Sequence, residues 1–207
     1  MNLIAIESST NICSVSSFKS NKLCNVIDLA DSKQHSKNLP NIIQEIMRDF
    51  DDFSDIEAFA VSVGPGSFTS IRIGLSIVKG LSFGLKNNIV PVPTLEAMNY
   101  SVNDSKVHYI AVNSFKDKCF IQKFEGKNPI DQPFIDNYDN ISKINDTVYL
   151  YSDKANHNYQ SISPSSISLG EYAITNYMEL VKKYNEDIHP IYLSENEFVK
   201  INSNRSK

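Results

Sequence analysis

IAIESSTNICSVSSF, residues 4–18, and IAVNSFKDKCFIQKF, residues 110–124, can be laid over one another without a gap. Ile-Ala opens both, Cys13 meets Cys119, and Phe18 meets Phe124. Each stretch reads as strand, short polar turn, strand. Apolar residues alternate with small or polar ones, the period of a half-buried strand. Recurrence of a whole supersecondary unit predicts two related halves, each opening on a β-hairpin. The expected fold class is therefore α/β, with two lobes each built on a mixed sheet flanked by helices. The expected division is 1–100 for the first lobe and 101–207 for a reduced second lobe.

Working outward from the first hairpin, KLCNVIDL (22–29) supplies a third strand across a short polar joint, which makes a meander. HSKNLPNIIQEIMRDF (35–50) places Leu39, Ile42, Ile43, Ile46, Met47 and Phe50 at helical spacing, with Pro40 expected in the first turn. IEAFAVSVG (56–64) reads as a buried strand. A second helix is expected from about Thr69 to Leu85, closed near Gly84 or Asn87. NIVPVP (88–93) reads as a short extended piece, and TLEAMNYSV (94–102) as a helix capped by Thr94. In the second half TVYLYS (147–152) is a strand candidate and SLGEYAITNYMELVKKY (168–184) one helix. The polar stretch 126–146 reads as irregular, and INSNRSK (201–207) as frayed.

Size and charge narrow the function. The chain has 207 residues, 41% of them hydrophobic, and a formal net charge of -4. That length supports one large domain or two small lobes with real cores. The acidic balance argues against a protein that grips nucleic acid alone, since phosphate neutralisation needs clustered Lys and Arg. Three cysteines without C-x-x-C spacing read as reduced thiols. Glu7 interrupts the N-terminal apolar run, so no signal-peptide core is expected. No apolar run reaches the ~20 residues that span a bilayer. No membrane role and a cytoplasmic place are the expectations.

SVGPGSFTSIRIG (62–74) joins a strand to a helix through a glycine-rich turn, the geometry that binds phosphate at a helix N-terminus. It lacks the lysine of a Walker A loop. It also fails the third glycine of a dinucleotide fingerprint, where Thr69 stands, and it is no G-x-S-x-G elbow. The alternative is structural, with glycines for unusual backbone angles and Ser67 or Thr69 as helix cap. The helix beyond carries Gly74, Gly80 and Gly84, each costing roughly 1 kcal/mol relative to Ala. Such residues are tolerated where another backbone comes close. Ile71, Ile73, Leu75, Ile77, Val78, Leu81 and Phe83 give that helix apolar surface on most sides. One side can pack on the sheet. The rest is buried between the lobes or meets a partner.

Other sites are poorer. His35, His108, His157 and His189 form no H-x-x-x-H or H-E-x-x-H, so no zinc ligands stand at helical spacing. His35 reads as a surface or capping residue. Glu7 ends the first strand, as either a metal-binding carboxylate or a solvated turn residue. The matching place in the second hairpin is Asn113, a weaker ligand. Arg72 reads as an anion-steering cation or a member of an exposed salt bridge.

GPGSFTSIRIG, together with HS at the head of the first helix, resembles the TsaB (YeaZ) family. So do LIAIESST, HSKNLPNII, VPTLEAM, the second hairpin and HPIYLSE. Gly64, Pro65, Gly66, Ser67, Phe68, Thr69, Arg72 and Gly74 match the family motif, and His35 matches its helix-leading histidine. Ser70 stands where glycine is usual, Glu7 where aspartate is usual, and Asn113 and Phe115 where Asp and Arg are frequent. The resemblance implies an actin-like, ribonuclease-H-like ATPase fold. It implies a non-catalytic scaffold for threonylcarbamoyladenosine synthesis at position 37 of tRNAs reading codons that start with A, with no cofactor, metal or catalytic residue of its own. Its partners would be a TsaD-like catalytic subunit, a TsaE-like ATPase and possible second copies, with tRNA met only through the complex. Docking is expected through Leu39, Ile42, Ile43, Ile46 and Met47 of the first helix and Ile73, Ile77, Gly80, Leu81 and Gly84 of the second. The competing expectation is a metal-dependent peptidase or ATPase of the same superfamily.

Overall fold

The structure is a computed structural model that describes residues 1–29, 34–152, 159–184 and 188–193. His157 and the segment 201–207 lie outside the described residues.

A five-stranded and a six-stranded sheet carry related plans. In the first, β1 (Leu3–Glu7), β2 (Cys13–Lys19) and β3 (Lys22–Leu29) form the expected meander. A helix, α1 (His35–Met47), leads to β4 (Ala58–Gly64), which pairs parallel to β1. A second helix, α2 (Phe68–Leu85), leads to β5 (Asn88–Pro93), giving the order β3-β2-β1-β4-β5. NIVPVP is thus an edge strand, the position where Pro91 and Pro93 cost no ladder bond.

A third helix, α3 (Thr94–Ser101), crosses to the second sheet. There β6 (Val107–Asn113) and β7 (Lys118–Glu125) are the second hairpin. Next come β8 (Asn128–Pro129), β9 (Phe134–Asn137), a single turn α4 (Tyr138–Ile141), β10 (Thr147–Tyr151) and β11 (Gln160–Ser161). β9 lies antiparallel to β7 as β3 does to β2, and β10 and β11 run parallel as β4 and β5 do. The stretch 126–146 is therefore not irregular throughout. Its short β9 escapes a periodicity test that needs longer runs.

The two hairpins match in element position but not in register. Glu7 pairs with Ser14, whereas Asn113 pairs with Cys119, one residue short of the gapless overlay. The turn of the second hairpin is one residue tighter.

Both faces of the first sheet are covered, which explains its near-continuous apolar strands. Ile4, Ile6, Val15, Phe59, Val61 and Val63 pack on α1 and α2. Leu3, Ala5, Phe18, Ala58 and Ala60 face the C-terminal helices. Those are α5 (Ser166–Thr175) and α6 (Tyr177–Tyr184), where a single helix was expected. They are separated at Asn176, whose side-chain amide turns back to the Tyr172 carbonyl. α5 packs on β1 and β2, so the last helices of the chain close over the first sheet.

Three further expectations shift. α1 ends at Met47, and Pro40 sits in its second turn. Pro93, not Thr94, stands at the N-cap of α3, and the buried Thr94 hydroxyl has no hydrogen-bond partner among the described residues. α2 ends at Lys86, which adopts the left-handed conformation with φ 58°.

Candidate functional site

The glycine-rich turn is built against the loop that follows β1. Gly64 closes β4, and a cis peptide leads to Pro65. A Cβ on Gly66 would stand 2.2 Å from the Ser9 carbonyl oxygen, and one on Gly74 would stand 2.3 Å from the Ser8 hydroxyl. Both distances are far inside contact, so only glycine lets the turn and the first turns of α2 lie on residues 8 and 9. The Ser67 amide donates to the same Ser9 carbonyl at 2.6 Å. Ser67 also caps α2, its hydroxyl accepting from the Ser70 amide. At Gly74 the close neighbour is the Ser8 side chain rather than another backbone, whose close approach is seen at Gly66 in the turn. At Gly80 and Gly84 a Cβ would meet nothing within 4 Å.

Glu7 is not a solvated turn residue, since only 1% of it is exposed. Its Oε1 accepts from the Ser9 amide at 2.6 Å. Burial raises its pKa, against opposing hydrogen bonds from Ser9 and Ser62. The folded carboxyl then holds its proton to higher pH than the unfolded one. Its stabilising contribution is full below the ordinary value of 4.5 and is lost as pH rises towards the folded value. Glu7→Gln is expected to remove that loss. Urea unfolding at pH 5 and pH 8 checks it, and a variant whose stability falls more steeply with pH than the parent contradicts it.

His35 is also buried rather than superficial, with its Nε2 3.1 Å from the Ile12 carbonyl oxygen. It lines a cleft of about 760 Å³ between the two sheets with Ser9, Thr10, Asn11, Ser67, Asn113 and Tyr151. Tyr151 donates to the Asn11 side chain across that cleft. Among the described residues, no three His, Cys, Asp or Glu side chains group as a metal site. Burial pushes the Cys13 thiol up to about 11, so it is a protonated core residue at neutral pH.

The apolar face of α1 is turned inward. Leu39, Ile42, Ile43, Ile46 and Met47 lie in the core, on a helix packed against β2, β3 and α2, between 0% and 7% exposed. These five residues correct the expected docking set. They support a surface rather than form one, because the stripe that helical spacing reveals is consumed by the chain's own sheet.

α2 is different. Ile71, Gly74, Leu75 and Val78 are its buried residues, while Ile73, Ile77 and Leu81 are only partly covered. Gly80, Phe83 and Gly84 are exposed, and Phe83 is 89% exposed. By length and composition alone α2 is apolar enough to cross a membrane, yet it packs along β4 and α1. Between α1 and α2 runs a groove of about 450 Å³ lined by Ser36, Pro40, Thr69, Arg72, Ile73 and Ile77. At its head, Arg72 Cζ sits 3.5 Å above the Phe68 ring, and Arg72 Nε donates to the Tyr192 hydroxyl at 2.7 Å. Spacing arguments pass over this cluster because Tyr192 is remote in sequence.

Comparison with known proteins places this geometry. A family model described as "TsaD: tRNA N6-adenosine threonylcarbamoyltransferase" matches residues 26–114. The tRNA threonylcarbamoyladenosine biosynthesis protein TsaB of Haemophilus influenzae is 33% identical over 99 residues, 47% of this chain and 42% of that protein. TsaB of Buchnera aphidicola subsp. Acyrthosiphon pisum is 31% identical over 132 residues, 62% of this chain and 60% of that protein. The chain thus spans about half the length of the curated relatives it matches. A crystal structure of a Pseudomonas aeruginosa protein with similarity to peptidase YeaZ superposes with a TM-score of 0.73 at 16% identity, covering 93% of this chain and 99% of that one. At that identity the likeness is one of fold, and the fold is the actin-like, ribonuclease-H-like ATPase fold with its two mixed sheets.

Proposed function

We propose that the chain is a member of the TsaB family and serves the synthesis of threonylcarbamoyladenosine in tRNA as a non-catalytic scaffold, a reading supported by its curated relatives and its fold. It docks a TsaD-type transferase subunit through the outer face of α2, and a TsaE-like ATPase joins that assembly. Its place is the cytoplasm, where tRNA is modified, and tRNA meets it through the complex. The docking helix belongs to the lobe built on the first sheet, which α5 and α6 from the C-terminal half also cover.

One observation carries this reading. α2 leaves Gly80, Phe83 and Gly84 exposed and Ile73 and Ile77 only half-buried at the rim of its own core, a run of apolar and small residues on the outer side of the helix. Phe83, near the C-terminal end of α2, leaves an aromatic ring nine-tenths in water beside that face, as an interface anchor does. The rival reading as a metal-dependent peptidase or ATPase has less support. Glu7 is sealed and hydrogen-bonded to the backbone, and its counterpart is Asn113.

Reconstituted tRNA modification with the partner proteins of the same cell tests the proposal. Omitting this chain is expected to abolish product, and the Glu7→Gln chain is expected to restore it. Product formed at an unchanged rate without the chain refutes the scaffold role.

A further inference from the structure

The cleft between the two sheets is built from neutral groups. Among the described residues that line it there is no Asp, Glu, Lys or Arg. Hydroxyl and amide side chains such as Thr10, Asn11 and Ser114 make up most of its wall. Ser9, in the loop after β1, and Asn113, at the end of β6, stand at matching places of the two hairpins and both line the cleft. Ser9 Oγ and Asn113 Oδ1 are buried and have no hydrogen-bond partner among the described residues. Buried polar atoms are ordinarily paired, so two orphans on one cleft mark hydrogen-bonding capacity kept for a ligand.

Two aromatic rings stand at the mouth. Phe68 at the head of α2 is 54% exposed, and Phe115 in the turn between β6 and β7 is 76% exposed. Both line the cleft, whereas Arg72, which stacks on Phe68, lines the neighbouring groove instead. Exposed rings of this kind stack flat heterocycles. The Tyr151–Asn11 bond ties the two sheets together across the cleft, so a ligand meets a site already in place. A metal-bound triphosphate is poorly served. The Ser67 amide is taken by the Ser9 carbonyl, the Ser70 amide by the Ser67 hydroxyl and the Ile71 amide by the Ser67 carbonyl, so the head of α2 keeps few donors for phosphate oxygens. Neither cations for the phosphates nor carboxylates for a divalent ion are among the lining residues.

We infer that this cleft binds an uncharged ligand that joins a flat ring to hydroxyl groups, a nucleoside, with the base stacked on Phe115 and the ribose hydroxyls turned to Ser9 and Asn113. The cleft volume of about 760 Å³ falls among small-molecule sites, which span about 300–1,000 Å³. Asn113 Oδ1 accepts from a ribose hydroxyl, and Ser9 Oγ can donate or accept. A phosphate added to the same ligand brings charge into a wall of neutral groups, on a chain whose formal net charge is already -4. The site does not depend on the docking role of α2.

Calorimetric titration of the full chain with adenosine, uridine, AMP and ATP with Mg²⁺ tests the site. The nucleosides are expected to bind with Kd of about 0.1–1 mM, AMP about tenfold more weakly, and ATP with Mg²⁺ no better than AMP. Phe115→Ala should weaken nucleoside binding about tenfold at an unchanged melting temperature, because its ring is exposed in the free chain. Asn113→Ala should weaken it about fivefold, since one buried acceptor is lost. ATP with Mg²⁺ bound more tightly than adenosine overturns the neutral character of the site. No binding of either nucleoside at about 10 mM, or nucleoside binding that Phe115→Ala leaves unchanged, overturns the site itself.

Discussion

Phe83→Ala is expected to weaken binding of the transferase-type subunit about 30-fold, while the melting temperature stays the same or rises slightly. The opposite signs follow from where the ring is. At 89% exposure it contributes almost nothing to the isolated fold, and Ala is the better helix former by a few tenths of a kcal/mol. Covered by a partner, an aromatic anchor at the centre of an interface is worth about 2 kcal/mol or more, and 1.4 kcal/mol is a factor of ten. Gly80→Ala sharpens the experiment. A Cβ there meets nothing within 4 Å in the free chain, so the substitution should stabilise α2 by about 1 kcal/mol. It nonetheless adds a methyl group to the proposed docking face, and binding should fall. Calorimetric titration and thermal melts on the same samples read both effects. Unchanged affinity in both variants would move the interface away from this face.

The hairpins, the α1 stripe and the order of elements could be read from the sequence because each rests on a period of two or of 3.6. Periodicity reports that a stripe is apolar and is silent about what covers it. Ile46 and Ile77 look alike in sequence, yet one is fully buried on a helix that packs against β2 and the other lies at the edge of an open groove. Glu7 was open for a different reason. A carboxylate at a strand end is ordinarily hydrated, yet Glu7 ends the central strand of its sheet and is 1% exposed, with its Oε1 bonded to the Ser9 amide. The glycines divide along the same line. Gly66 and Gly74 answer to the Ser8–Ser9 backbone and side chain, a contact across more than fifty residues that no local pattern encodes. The Arg72 cluster needs Tyr192, brought beside α2 where the Ile191 amide donates to the Val63 carbonyl. The α5–α6 break was hidden because Asn176 interrupts an apolar pattern without changing its phase.

Ile46→Asp is expected to unfold the chain or lower its melting temperature by about 8–16 °C, which separates the two helices that sequence alone treats as equals. Ile46 is fully buried in the cluster formed by α1, α2 and the strands beneath them. An unpaired carboxylate at that depth either ionises at a cost of several kcal/mol or takes up a proton and still leaves polar atoms without partners. The shorter side chain adds a cavity of the kind that makes Ile→Ala cost about 2–5 kcal/mol. A total of about 4 kcal/mol or more is a large part of the stability of a single domain. In a chain of this length each kcal/mol is worth about 2–4 °C. Ile46→Val should cost only about 0.5–1.5 kcal/mol and leave partner binding intact. Any loss of binding in Ile46→Asp should therefore track loss of the folded state, seen as a parallel fall in circular dichroism and in titration stoichiometry. An Ile46→Asp chain that melts like the parent yet fails to bind would place the apolar stripe of α1 on the outside, and with it half of the core assigned to the first sheet.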